Sequence, residues 1–160
     1  MGDSILKDVK GWKFKEKLNK NEKIVVKSFS GATTKCMRHH IIPTLDTNPN
    51  HVVIHAGTND LPSSKTASEI ADEIIQLADM ASKQVKDSIA ISTLVVRDDK
   101  WSKKAKEVNK CLISLCSQRN IGLLNNDNIN KVHLNNSKIH LNKSGVKLLS
   151  KNLSQFIMKK

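Results

Sequence analysis

Four short blocks of the chain hold residue types that can do chemistry together: Gly2-Asp3-Ser4-Ile5, Ser30-Gly31-Ala32, Gly57-Thr58-Asn59-Asp60 and Ser137-Lys138-Ile139-His140-Leu141-Asn142. The first sets a serine at a turn that leads into a helix. The second and third are small glycine-containing turns, whose backbone N–H groups suit an anion or an oxyanion. The fourth sets a histidine where a loop ends and the last helix begins. Each residue alone has a plainer reading. Ser4 and Asn59 are good helix caps, Gly31 is an ordinary turn residue, and His140 is an exposed or internally satisfied histidine. Those readings do not explain four blocks in this order.

The elements between the blocks predict how they are placed. Lys23–Phe29, His51–His55, Ser88–Val96 and Ile121–Leu124 are short, apolar and β-branched, as strands covered on both faces should be. Between them run helical stripes: Ile70, Ile74, Leu77, Ala78 and Ala81, then Ala105, Val108, Leu112, Leu115 and Cys116, then Val146, Leu149, Leu153, Phe156 and Ile157. Thr33–Leu45 is a weaker helix, interrupted by Pro43. The alternation predicts a three-layer α/β/α sandwich with a parallel sheet and right-handed crossovers, in one domain over residues 1–160. In such folds chemistry sits in loops at the carboxyl ends of strands. Ser30–Thr34, Ala56–Asp60, Arg97–Asp99 and Asn125–Asp127 are those loops.

Serine, glycine, asparagine and histidine in this order and context resemble the SGNH (GDSL-type) hydrolases, over nearly the whole chain. Ser28-Phe29-Ser30-Gly31-Ala32-Thr33-Thr34, His55-Ala56-Gly57-Thr58-Asn59-Asp60-Leu61 and His140-Leu141-Asn142-Lys143-Ser144-Gly145 are similar, more narrowly, to the esterase domain in first-open-reading-frame proteins of LINE-type retrotransposons. The resemblance implies a flavodoxin-like fold and a serine esterase acting on small or lipid-like acyl esters. It makes Ser4 the nucleophile and His140 its base, since a hydroxyl alone attacks esters poorly. The oxyanion donors would be the Ser4 and Gly31 N–H groups and the Asn59 amide. No metal and no organic cofactor is implied. Asp60 reads as a structural bond within its own turn, and His39, His40, His51, His55 and His133 as structural or surface residues.

Two departures from the family matter. Where the family has an aspartate three residues before the histidine, this chain has Ser137. A neutral acceptor near Ser137 is therefore expected to orient the imidazole, with slower turnover. The family also runs an apolar central strand into the Gly-Asp-Ser turn. Here Met1 directly precedes Gly2, so that strand is expected to be missing and its slot open.

Composition supplies a competing reading. Lysine and arginine number 27 against 15 acids, for a net charge of +12, and residues 131–160 hold seven lysines and no acid. This predicts a basic module for nucleic acid or anionic membrane, on a hydrolase scaffold of weak or no activity. The aromatics, Trp12, Phe14, Phe29, Trp101 and Phe156, are too few for a base-stacking platform. Cys36, Cys111 and Cys116 show no CxxC spacing, which argues against a zinc site or disulfide framework. Unpaired cysteines and the lack of a signal-like leader predict an intracellular, cytoplasmic protein, and no apolar run approaches the ~18 residues of a membrane span.

Overall fold

The computed structural model describes residues 1–10 and 23–158. Trp12, Phe14 and the lysines of 11–22, together with Lys159 and Lys160, lie outside the described residues. Strands β1 (His51–Ile54), β2 (Ser88–Ser92) and β3 (Gly122–Leu124) form a parallel sheet in that order. The register pairs His51 with Ser88 and Ala90 with Gly122. Helices α1 (Thr34–Leu45), α2 (Ala67–Ser82), α3 (Ser102–Arg119) and α4 (Lys143–Met158) alternate with the strands.

Local chemistry explains the helix boundaries. Thr66 and Glu69 close a reciprocal capping box at the start of α2. Ile70, Ile74, Leu77, Ala78 and Ala81 then form its buried stripe. Asn120 ends α3 in the left-handed conformation at φ 53, its N–H returning to the Cys116 and Ser117 carbonyls. Helix α1 does not break at Pro43 but continues to Leu45. Proline removes one intrahelical bond near the end of the helix. Met37, Ile41 and Leu45 are fully buried along one face, each contributing about 1.5–3 kcal/mol, which outweighs that loss.

Two apolar clusters cover the sheet. Met37, Ile41, Ile54, Ile74, Leu77, Ile91 and Leu112 join α1, α2 and α3 to β1 and β2. Ile5, Leu6, Val9, Val95, Ile129, Leu141 and Leu149 join the N-terminal turn to α4. Alternation along β2 separates them: Ile91 belongs to the first cluster, whereas Ala90 meets the α4 side, where a Cβ on Gly122 would lie 3.1 Å from the Ala90 Cβ and 3.2 Å from Phe156 Cζ. The three-layer expectation therefore holds, with helices on both faces of a parallel sheet.

The expected strand at Lys23–Phe29 is corrected to a single parallel bridge between Ser28 and Gly2. A strand requires paired neighbours along its length, and among the described residues this segment is bridged at Ser28 alone. Gly2 bridges Ser28 on one side and His55 on the other. Its N–H donates to the Lys27 carbonyl (3.0 Å), and its own carbonyl accepts from Phe29 (2.8 Å). On the β1 side the His55 N–H donates to Met1 (3.0 Å), and the Asp3 N–H to His55 (3.1 Å). Met1–Gly2 thus occupies the slot between the 23–29 segment and β1. A Cβ on Gly2 would lie 2.3 Å from the His55 carbonyl oxygen, so this approach requires glycine.

Candidate active site

The bridges at Gly2 place Ser4. Three parallel segments, 27–29, Met1–Gly2 and 53–55, run side by side, so the residues that follow them leave the sheet at one end. Those residues are Ser30–Thr34, Ser4 and Ala56–Asp60. Ser4 opens a 3-10 turn, Ser4–Leu6, anchored by buried Ile5 and Leu6. Asp3, not Ser4, is its cap: the Asp3 Oδ1 accepts the Ile5 N–H at 3.0 Å. Ser28 Oγ donates to the Asp3 carbonyl at 2.9 Å, fixing the turn from the other side.

The Gly31 and Asn59 loops are stitched together. Gly31 sits at φ 75, and nothing lies within 4 Å of where its Cβ would be, so backbone angle rather than crowding by the protein calls for glycine. Asn59 Nδ2 donates to the Ala32 carbonyl at 3.0 Å. Asn59 does not cap α2, since Thr66 does. Asp60 is fully buried and structural, but its partner is not its own turn. Its carboxylate accepts the Thr34 N–H (2.9 Å) and the Thr34 hydroxyl (2.8 Å), 26 residues away. Thr34 Oγ also meets Glu73, which pairs with Lys65 at 2.6 Å. Burial works against the Glu73 charge, but the hydrogen bonds from Lys65 and Thr34 hold its carboxyl below the ordinary range.

His140 lies in a tight loop before α4. Its carbonyl accepts from Asn135 N–H (2.8 Å), and Leu134 bridges Leu141. Asn142 Nδ2 donates to the Val132 and Leu134 carbonyls at 2.8 and 3.0 Å, while Asn142 Oδ1 accepts the Gly145 N–H at 3.0 Å and caps α4. Ser137 Oγ accepts the His140 backbone N–H (3.2 Å) and donates to Asn135 Oδ1 (2.5 Å). It therefore holds the His140 backbone rather than the ring. The loop after β2 joins here through the Asp98 N–H, which donates to the Lys138 carbonyl at 3.0 Å. Lys131, 2.6 Å away, hydrogen-bonds the Asp98 carboxyl and keeps it below its usual range.

Among the described residues, neither the Ser4 hydroxyl nor the His140 ring is hydrogen-bonded, and the two do not bond to each other. The Ser4 and Gly31 N–H groups likewise donate to no described residue. The structure thus brings Ser4, Gly31 and Asn59 to one end of the sheet with donors unspent, and ties the His140 loop to the end of β2.

The remaining histidines take structural places. His40 stacks on Phe29 at 4.0 Å, His51 meets Ser88 Oγ at 2.8 Å, and His133 Nδ1 accepts the Asn130 N–H. His55 is buried, with Nδ1 3.0 Å from Ser92 Oγ. Asn126 Nδ2 donates to the same Ser92 Oγ at 2.8 Å, and His55 Nε2 is buried without a hydrogen-bond partner among the described residues. Burial lowers His55 from its ordinary value, which keeps it neutral. No group of three or more His, Cys, Asp or Glu among the described residues could hold a metal ion, and no described helix is long and apolar enough to cross a membrane.

Arg97 is the residue the sequence did not single out. The Arg97–Trp101 loop reads as a mouth of the site, but the guanidinium turns inward and only 5% of the residue is exposed. Nε and Nη2 grip Asp99 at 3.1 and 2.5 Å, and Nη1 donates to the Thr58 carbonyl at 3.3 Å. The Arg97 hydrogen bonds depress the Asp99 carboxyl. The usable signal was that a lysine-rich chain has only three arginines, Arg38, Arg97 and Arg119, and buried two-pronged pairing favours arginine. Trp101 packs against the first apolar cluster, with Lys100 and Lys104 over its ring.

These loops lie where open α/β sheets carry their reaction sites. The chain belongs to the GDSL-like Lipase/Acylhydrolase family, whose model matches residues 1–148. Its fold is similar to that of a member of the lipolytic G-D-S-L family from Veillonella parvula (20% identity, 96% of this chain and 93% of that one, TM-score 0.79). A GDSL-like lipase from Bacteroides thetaiotaomicron is also similar (19%, 99% and 86%, TM-score 0.81). So is the psychrotrophic esterase EstA from Pseudoalteromonas, in a structure inhibited by monoethylphosphonate (18%, 87% and 78%, TM-score 0.71). At these identities the likeness shows the fold. No curated protein sequence matches the chain.

Proposed function

We propose that the protein is a serine esterase in which Ser4 attacks the acyl carbon of a small or lipid-like carboxylic ester. His140 takes the Ser4 proton and returns it to the leaving alcohol, giving an acyl-enzyme that water then hydrolyses. The oxyanion is held by the Ser4 and Gly31 N–H groups and by the second N–H of the Asn59 amide. No metal or organic cofactor enters this chemistry. One observation carries the reading: Ser4, Gly31 and Asn59 leave adjacent segments at the same end of the sheet, with unspent donors, and the Asn59–Ala32 and Asp60–Thr34 bonds fix two of their loops to each other. A direct Ser4–His140 bond is not a requirement of the unliganded state, because such bonds often tighten only around substrate.

The test is hydrolysis of p-nitrophenyl acetate and butyrate by the chain and by Ser4→Ala, with phosphonate labelling followed by mass spectrometry. Turnover should fall at least about 1,000-fold in the variant, and the label should sit on Ser4. Equal rates in the two proteins, or no turnover and no label in the parent, would overturn the reading.

A second reading has its own observation. Lys143, Lys147 and Lys151 recur along one face of α4 and line a groove with Ser150, Ser154 and the acid Asp8. They support a surface for nucleic acid or anionic membrane, as expected of a retrotransposon-type esterase domain. Binding of a labelled oligonucleotide that falls steeply with salt and survives Ser4→Ala would support it. Oligonucleotide binding that is absent at low salt would exclude the nucleic-acid form of this reading.

A further inference from the structure

We propose that Arg97 is a positioning residue of the oxyanion site: gripped by Asp99, its guanidinium holds the Thr58 carbonyl and so aims the Asn59 amide. This rests on the esterase reading of the same site. The Thr58 carbonyl belongs to the peptide that joins Asn59, so a bond to it fixes the backbone from which the Asn59 side chain projects, and the bond from Asn59 Nδ2 to the Ala32 carbonyl (3.0 Å) holds that side chain at its far end. Asn59 is then bracketed, with Arg97 on the peptide before it and the buried Asp60–Thr34 bonds on the residue after it. Lys104 extends the grip, donating to the Leu61 and Ser63 carbonyls at 3.0 and 2.9 Å. Asp99 in turn accepts the Trp101 N–H at 3.1 Å, which anchors the pair to the start of α3.

Stability alone gives no reason for this arrangement. A buried ion pair contributes little beyond what apolar residues of the same volume would, because desolvation offsets the attraction. What the pair provides is a fixed cation beside the peptide from which the Asn59 side chain, an oxyanion donor, projects, in a site where negative charge develops. The two faces of the contact predict different failures. Loss of a merely structural residue reduces the fraction of competent molecules. Loss of a positioning residue slows each competent molecule while leaving ground-state binding alone.

The experiment compares the parent, Arg97→Met, Arg97→Lys, the neutral double variant Arg97→Met with Asp99→Asn, and Arg119→Met as a control for an exposed ion pair. Rates on p-nitrophenyl acetate are expressed per site titrated with a p-nitrophenyl alkylphosphonate. Arg97→Met should lower kcat about 100-fold with KM within about twofold, the effect expected of a small misplacement at a reacting centre. Arg97→Lys should recover only a minor part of the loss, since lysine keeps the charge but not the fork that joins Asp99 to the Thr58 carbonyl. Arg119→Met should match the parent. If Arg97→Met fails to fold because the half-buried Asp99 loses its counter-charge, the double variant gives the same comparison, with kcat again low at unchanged KM. A folded variant of either kind with kcat within about threefold of the parent overturns the proposal and leaves the esterase reading intact. A parent that neither turns over nor is titrated overturns the esterase reading, and this inference with it.

Discussion

Replacing Ser137 by aspartate is the perturbation that best tests how this site handles its histidine. The Ser137 hydroxyl accepts the backbone N–H groups of His140 (3.2 Å) and Ile139 (3.3 Å) and gives its proton to Asn135 Oδ1. Aspartate caps backbone N–H groups as well as serine does, so one carboxylate oxygen can take over both bonds while the other is free to reach the ring. The lost proton leaves two acceptors facing each other at Asn135, which costs about 1 kcal/mol at an exposed position. The gain is electrostatic. A carboxylate about 4 Å from an imidazolium stabilises it by about 4 kcal/mol at an effective dielectric of 20. Residue 137 is exposed and Lys138 is its neighbour, so a quarter to a half of that value, about 1–2 kcal/mol, is realistic after screening. That corresponds to a rise in kcat of about 5- to 30-fold. The assay is steady-state hydrolysis of p-nitrophenyl acetate, with Ser137→Asn as the isosteric neutral control and circular dichroism to confirm folding. The control should show no gain. Equal kcat for the parent, Ser137→Asp and Ser137→Asn, all folded, would refute the argument that His140 lacks an anionic partner it can use.

Other outcomes follow from the same geometry. Gly31→Ala should cost about 1–2 kcal/mol of stability, since φ 75 disfavours an L side chain, while kcat changes by less than about threefold because alanine keeps the N–H donor; an unchanged melting temperature would contradict the left-handed backbone. Asp60→Ala strips the buried Thr34 N–H of its acceptor, while the Thr34 hydroxyl keeps Glu73, and should lower stability by about 1–3 kcal/mol, read by urea unfolding, with Asp60→Asn milder; equal losses in the two would show that the hydrogen bonds are not the cause. His55 is neutral in the fold but takes a proton near pH 6.5 when unfolded. The unfolded state therefore binds more protons below that pH, so this contribution is complete above about 6.5 and is lost as pH falls through the lowered folded value. His55→Gln should flatten that limb of the stability–pH curve, and an unaltered slope would assign it elsewhere.

The difference between what was legible in the sequence and what was not is itself physical. Ser4, Gly31, Asn59 and His140 stand out in the sequence because the proposed chemistry restricts residue type, and the three ladder strands could be read because burial on both faces restricts composition. Lys23–Phe29 has a strand-like composition too but makes only one bridge among the described residues, because pairing depends on what lies alongside, which composition does not encode. Pro43 read as a break because propensity is local, whereas the Met37–Ile41–Leu45 face that carries the helix through it is a property of packing. The supports of the site were hidden for a common reason. Asp60 binds the Thr34 N–H, Arg97 the Thr58 carbonyl, Asn142 the Val132 and Leu134 carbonyls, and Ser137 the His140 N–H. Each partner is a backbone group, which every residue type presents alike. Residues that react are marked by what they are. Residues that hold them are marked only by where the backbone brings them, so a buried charge on a backbone carbonyl, such as Arg97 on Thr58, is where the fold adds to what the motif already says.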